Sequence, residues 1–195
     1  MRLAFLDTET TGLDPSLHEV IEFAAIVVDD TKGTVVRYQT KIKPVQIETA
    51  HPKALEVNGY SPEAWGDAAP MTKVGHEIAT LLDKCVLVGH NVSFDEAMLK
   101  ANMAKAKVEA RIPYRKIDTQ VLVMEHLFPL GLKRASLDSV RDFLGWDKEN
   151  SHTAMKDTED AKRLFEILWR MTPWDRFILR MKLLIPKVRR RRWKP

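Results

Sequence analysis

Four short stretches of the sequence set carboxylates beside turn signals, and converging carboxylates are the groups that hold hard cations or move protons. The first is Asp7-Thr8-Glu9-Thr10-Thr11-Gly12-Leu13, which follows an apolar run. The period of two in a strand puts Asp7 and Glu9 on one face of a sheet. Two such acids repel and desolvate each other unless a cation sits between them, and a solvated strand end is the alternative reading. Gly12 follows where a turn can bring backbone close to a ligand. The second stretch, Gly89-His90-Asn91-Val92-Ser93-Phe94-Asp95, places Asp95 in the first turn of a helix opening near Ser93. Compensation of the helix dipole accounts for an acid there without any further role. In the third, Ile117-Asp118-Thr119, capping of the next helix is the main reading of Asp118. The fourth, His152-Thr153-Ala154-Met155-Lys156-Asp157, spaces a histidine five residues ahead of an acid, and in isolation it is loop polarity as readily as chemistry.

The elements that must position these residues are legible from hydrophobic period and turn chemistry. Arg2–Leu6 reads as a short apolar strand, Val20–Val28 as a β-branched strand, and Thr34–Ile42 as an alternating strand after the Lys32-Gly33 turn. The simplest assembly of the three is a meander. Lys43–Pro70 is proline-punctuated and reads as loop with short helical pieces. The second half alternates helices over Thr72–Lys84, Phe94–Lys105, Thr119–Leu127, Ser136–Leu144 and Thr158–Met171 with short strands at Cys85–Val88 and Arg115–Asp118. A meander followed by alternating elements predicts an α/β fold with a mixed sheet.

Composition bounds the function. At 45% hydrophobic and 30% charged residues, the 195-residue chain is that of a globular domain with an appendage rather than a disordered one. The single cysteine, Cys85, excludes an intrachain disulfide and zinc sites built on several thiolates; it sits in an apolar run and reads as a small buried hydrophobe. No stretch is long and apolar enough for a signal core or a membrane span, which predicts a cytoplasmic protein without stable membrane insertion. No phosphate-cradling Gly-x-x-x-x-Gly-Lys-Ser/Thr loop is present, so ATP use has no support. His18, His51, His76, His90 and His126 and the tryptophans are expected to serve packing and loop structure.

Taken together and in order, Asp7-Thr-Glu-Thr-Thr-Gly-Leu, Gly89-His-Asn-x-x-Phe-Asp95 and His152-x-x-x-x-Asp157 resemble the DEDDh family of 3′–5′ exonucleases. The resemblance runs from about Arg2 to Trp169, with lesser echoes at Val20-Ile21-Glu22, Asn58-Gly59, Asp118-Thr119 and Ser136-Leu137. It implies a ribonuclease H-like fold, a five-stranded mixed sheet flanked by helices. It puts the family's metal-site acids on Asp7, Glu9, Asp95 and Asp157, and its general base on His152. Thr10 and Leu13 fall on positions that contact the terminal nucleotide in the family. Thr8, Asn91 and Phe94, in the same motifs, are further candidates for substrate contact, with packing beneath the site as the alternative for Phe94. Met98 stands where a bulky aromatic is common in the family, and Thr158 where a small residue is common. An oxygen-only ligand set suits two Mg²⁺ or Mn²⁺ ions better than Zn²⁺. The expected activity is release of nucleoside monophosphates from single-stranded 3′ ends, DNA ahead of RNA, in proofreading or end-trimming. A polymerase or another replication or repair protein would be a separate partner. The contrasting class, a non-catalytic binding or scaffold protein on the same fold, expects a missing acid or histidine, and all five positions are filled.

The net charge of +4 is uneven. Lys187, Arg189, Arg190, Arg191, Arg192 and Lys194 contribute six cations in the last nine residues, and without them 25 basic residues face 27 acidic ones, a balance of −2. The expected organisation is therefore an exonuclease-like domain over 1–171 and an amphipathic helix with a basic tail over 172–195. Three readings of that tail stand side by side: a solvated extension, a nucleic-acid grip through Arg189, Arg190, Arg191 and Arg192, and docking to a partner or an anionic surface.

Overall fold

The computed structural model describes residues 1–149 and 151–184. The predicted meander is present: β1 (Arg2–Thr10) pairs antiparallel with β2 (Val20–Asp29), and β2 with β3 (Thr34–Lys43). After α1 (Pro52–Asn58) come β4 (Ala69–Pro70), α2 (Met71–Leu82), β5 (Val86–Gly89), α3 (Val92–Lys105), β6 (Lys116–Asp118), α4 (Thr119–Leu127), α5 (Leu137–Leu144), α6 (Ala154–Leu168) and α7 (Pro173–Leu184). The sheet order is β4-β3-β2-β1-β5-β6, with β5 parallel to β1 and β6 parallel to β5. The five expected strands are joined by one more, the two-residue β4, beside Ile42 and Lys43 of β3. Its Pro70 is tolerated there because an edge position needs no ladder donor on its outer side.

Alternation along β1 and β2 divides the core into two layers. Ala4 and Leu6, with Phe23, Ala25 and Val27, face α2 and α3. Leu3, Phe5 and Ile26, with Val88 of β5, face α6, where the Phe5 and Phe165 rings meet edge to face at 5.4 Å. The apolar run of β2, broken only by Glu22, follows from this, since Val20–Val27 is buried throughout and a strand covered on both faces has no solvent side to alternate with. A third cluster, built on Val123, Leu127, Val140, Leu164 and Leu168, joins α4, α5 and α6, and Leu179 of α7 packs against it. Met98 and Thr158, the two departures from the family pattern, are both fully buried, and the Thr158 hydroxyl donates to the Ala24 carbonyl oxygen at 3.4 Å.

Among the boundaries that differ from the sequence reading, two bear on the acids. β1 does not stop at Leu6. Its pairing with β2 runs on through Asp7↔Ala24, Thr8↔Phe23 and Glu9↔Glu22, then slips at Glu9/Thr10, so Asp7 and Glu9 lie within the strand, next to a bulge. α6 opens at Ala154 rather than Thr158, because Asp157 N–H already closes the first turn onto the Thr153 carbonyl at 3.1 Å. Asp157 therefore sits in the first turn of α6. The expected caps are in place: Asp118 accepts from Gln120 N–H at 2.9 Å and Ser136 from Ser139 N–H at 3.4 Å.

Candidate acidic active site

The sheet brings the separated acids to one end of β1. Asp7 and Glu9 point to the α6 face, as the strand period requires, and the first turn of α6 crosses that face. Carboxylate oxygens of Asp7, Glu9 and Asp157 lie within 4.8 Å of one another. Asp95 arrives from the other layer. β5 pairs with β1 only as far as Phe5, and beyond that point the edge of β1 is open. Gly89 ends β5 with so little room that a Cβ would stand 3.0 Å from the Leu6 carbonyl oxygen. The chain then turns through Asn91 (φ +74°) into α3, whose first turn fills the open edge. There Thr8 N–H and the Thr8 hydroxyl both donate to Asp95 Oδ1, at 2.9 and 2.7 Å.

Electrostatics in this pocket are those of excess negative charge out of water. Burial, and then repulsion from Asp95, Asp157, Glu9 and Glu22, hold the Asp7 carboxyl well above the ordinary carboxylate range. Burial and the neighbouring Asp157, Glu22 and Asp95 push Glu9 up to about 8. Asp95 rises to about 7 through burial, against the lowering effect of its two bonds from Thr8. Burial also raises Asp157, opposed by the Arg141 guanidinium. Buried acids that repel one another at neutral pH are a donor set for hard cations, since a divalent ion between them removes both the repulsion and the cost of burial.

The other candidates are distributed as follows. His152 lies on the loop before α6 with φ +66° and a half-exposed side chain; its Nε2 is 3.4 Å from Asp138 Oδ2 and its N–H donates to Asp157 Oδ1 at 3.3 Å. Leu13 is 82% exposed in the loop after β1, an apolar side chain held in solvent. Thr10 is buried, with its hydroxyl donating to the Gly12 carbonyl at 2.8 Å. Thr8, a further candidate for substrate contact, is buried on the face of β1 opposite Asp7 and Glu9, and its donors are engaged by Asp95. Phe94 is half-buried against the core of the α2–α3 layer, the packing alternative of the sequence reading. Asn91 is exposed, and its N–H donates to Asp118 Oδ1 at 2.9 Å. Arg189, Arg190, Arg191 and Arg192 lie outside the described residues.

Sequence reasoning passed over Arg141, Asp138 and Asp160. A signal existed: Leu137, Val140, Arg141 and Leu144 fall at i, i+3, i+4 and i+7, so Arg141 occupies a core position of α5. An arginine on an apolar stripe needs buried partners.

A mixed sheet flanked by helices, with acids gathered at the end of a central strand, is a ribonuclease H-like fold. The family model of the RNase_T exonucleases matches residues 4–165, and the chain belongs to that family; its domain is a 3′–5′ exonuclease domain of the DEDDh kind. It is 33% identical over 162 residues to the PolC-type DNA polymerase III of Thermotoga petrophila, covering 82% of this chain and 11% of that one. It is 26% identical over 160 residues to the DNA polymerase III subunit epsilon of Treponema pallidum, covering 82% of this chain and 72% of that one. The fold is that of E. coli exonuclease I in complex with a dT13 oligonucleotide (TM-score 0.73, 20% identity, 95% of this chain and 46% of that chain). The chain thus spans about a tenth of the PolC-type relative. Among the described residues no helix is long and apolar enough to cross a membrane.

Proposed function

We propose that residues 1–171 hydrolyse phosphodiesters at single-stranded 3′ ends and release nucleoside monophosphates, with DNA preferred over RNA. The observation that carries this reading is the convergence of the Asp7, Glu9 and Asp157 carboxylates within 4.8 Å, in a pocket that also presses on Asp95. The donor set is oxygen-only and carries uncompensated charge, which fits Mg²⁺ or Mn²⁺. Asp7, Glu9 and Asp157 would hold the ions, with Asp95 beside them. Bound there, the ions supply charge neutralisation on the phosphoryl oxygens and an acidified water.

The remaining work falls to the chain's own side chains. His152, whose imidazole carries a ring nitrogen able to accept a proton, would serve as the base toward the attacking water. Its half-exposed position on a loop gives the base access to solvent for proton return. Leu13, apolar and exposed, offers a surface for the terminal base. The Thr8 donors hold Asp95 at the open edge of β1. Preference for DNA is supported by the named relatives, both DNA polymerase III proteins, and by the exonuclease I complex with dT13. A polymerase or another replication or repair protein is the corresponding partner class.

A 5′-labelled single-stranded oligonucleotide should be shortened from its 3′ end in Mg²⁺ or Mn²⁺ and spared in chelator. His152→Ala should lower turnover severely, by about 10²–10⁴-fold, and leave Mn²⁺ binding in place. Matched DNA and RNA oligomers at one salt concentration test the sugar preference. Retention of full activity by Asp7→Ala would refute the assignment.

A further inference from the structure

Arg141 has no exposed surface, and each of its three guanidinium nitrogens donates a hydrogen bond. Nε donates to Asp160 Oδ2 at 2.8 Å, Nη1 to Asp138 Oδ1 at 3.0 Å, and Nη2 to Asp157 Oδ1 at 2.5 Å. Compensating one buried cation takes one carboxylate, and this one has three. Two of the three lead back to the acidic pocket. Asp157 is one of its converging acids, and the second oxygen of Asp138 lies 3.4 Å from His152 Nε2. The His152 N–H closes the circuit by donating to Asp157 Oδ1 at 3.3 Å. Asp157, Arg141, Asp138 and His152 thus form a ring of contacts around a rigid, planar fork. Asp160, itself buried and reached by Lys156 at 3.3 Å, anchors the third side of that fork in the core.

Both hydrogen bonds that Asp157 accepts from described residues fall on Oδ1. The ring therefore fixes the rotation of this carboxylate and leaves Oδ2 as its remaining donor oxygen. We propose that Arg141 is a positioning residue: it holds Asp157 as a single-oxygen ligand and, through Asp138, ties the His152 loop to that ligand. This rests on the assignment of Asp157 to a metal site made above. A planar five-donor fork is needed for three separate carboxylates, and a lysine ammonium does not supply that geometry.

The test uses the full chain and Mn²⁺. In Arg141→Met/Asp160→Leu the buried pair is replaced by apolar groups of similar volume, an exchange that folds commonly tolerate. The variant is expected to keep its circular dichroism spectrum, to bind Mn²⁺ about 10–100-fold more weakly by calorimetry, and to lose kcat by a similar factor, with KM for the oligonucleotide little changed. Asp138→Asn, which leaves the arginine paired on its other two sides, is expected to lower kcat with Mn²⁺ affinity retained. A folded double variant with the parent's Mn²⁺ affinity and kcat overturns the clamp. Should the double variant not fold, an unchanged kcat in Asp138→Asn still overturns the tie to His152. Failure of the unmutated protein to bind Mn²⁺ overturns the metal site itself, and that result comes before any variant is read.

Discussion

Thr8 gives both of its hydrogen-bond donors to a single oxygen, Oδ1, of Asp95. The arrangement follows from topology: β5 leaves β1 after Phe5, so the N–H of Thr8 has no strand partner on that side and takes a side chain from α3 instead. The carboxylate substitutes for a ladder acceptor, and an acid is held where β1 would otherwise expose an edge. Thr8→Val keeps the side-chain shape and the N–H bond but deletes the hydroxyl. It should cost about 1–3 kcal/mol of stability in a buried, charge-assisted bond and lower kcat, while Thr8→Ser restores both. Thermal unfolding and turnover of the two variants check this, and equal behaviour of Val and Ser would remove the hydroxyl from the account.

The raised acids make stability depend on pH in a stated direction. Glu9 stands at about 8 and Asp95 at about 7 in the folded chain, against ordinary values of 4.5 and 3.8. Between those limits the folded state retains protons that the unfolded chain has released, so these acids make stability in chelator fall as pH rises through the window, while His90 and His126, lowered by burial from 6.5, oppose the trend below that value. The exposed Asp14 and Asp29, which are lowered by their own turn hydrogen bonds, act only below this window. Added Mn²⁺ should reverse the trend at pH 8 and release protons on binding at pH 7, the latter seen as a buffer-dependent calorimetric heat. A melting temperature that is level from pH 5.5 to pH 8 in chelator would contradict the shifts.

The same repulsion separates stability from activity. Asp7 is held above the ordinary range first by burial and then by four neighbouring acids, so Asp7→Asn removes an acid whose charge this pocket tolerates poorly in chelator. Without metal at pH 8 this variant should melt at a higher temperature than its parent and cleave nothing. Glu9→Gln should behave in the same way, more weakly on stability. A lower melting temperature for Asp7→Asn would mean that its hydrogen bonding outweighs its charge.

The fold class was legible because its signals are local: a β-branched run for β2, alternation for β3, and capping residues at Asp118 and Ser136. Bounds at the pocket were less so. β1 runs on through Asp7 and Glu9 because β2 pairs with it there, and a polar residue in a strand looks like a strand end until its partner is known. The acids were legible as a motif, but their convergence was not, since Asp95 comes from one layer and Asp157 from the other. The motif alone does not say which way Thr8 faces, and the pairing of β1 is what turns it toward α3. Arg141 was the largest omission. Its place on the apolar stripe of α5 marked it as buried, and nothing in one sequence says which carboxylates will surround it.

The C-terminal residues carry a prediction of their own. α7 follows the end of α6 that lies away from Asp157, and packs by Leu179 against the α4–α6 cluster while Arg176 Nη2 contacts His126 Nδ1 at 3.0 Å. Its Trp174 and Phe177 rings stack on each other at 5.4 Å and remain exposed. The six cations of 187–195 follow this helix in sequence, and no acid in that run offsets them. Each phosphate they neutralise on a single strand should add about 0.7 to the slope of log affinity against log salt. A grip by all six would therefore add about 4 to that slope, and deletion of 187–195 should remove it while leaving kcat on a short oligonucleotide unchanged. A slope identical in the two proteins would assign the tail to solvent or to another partner.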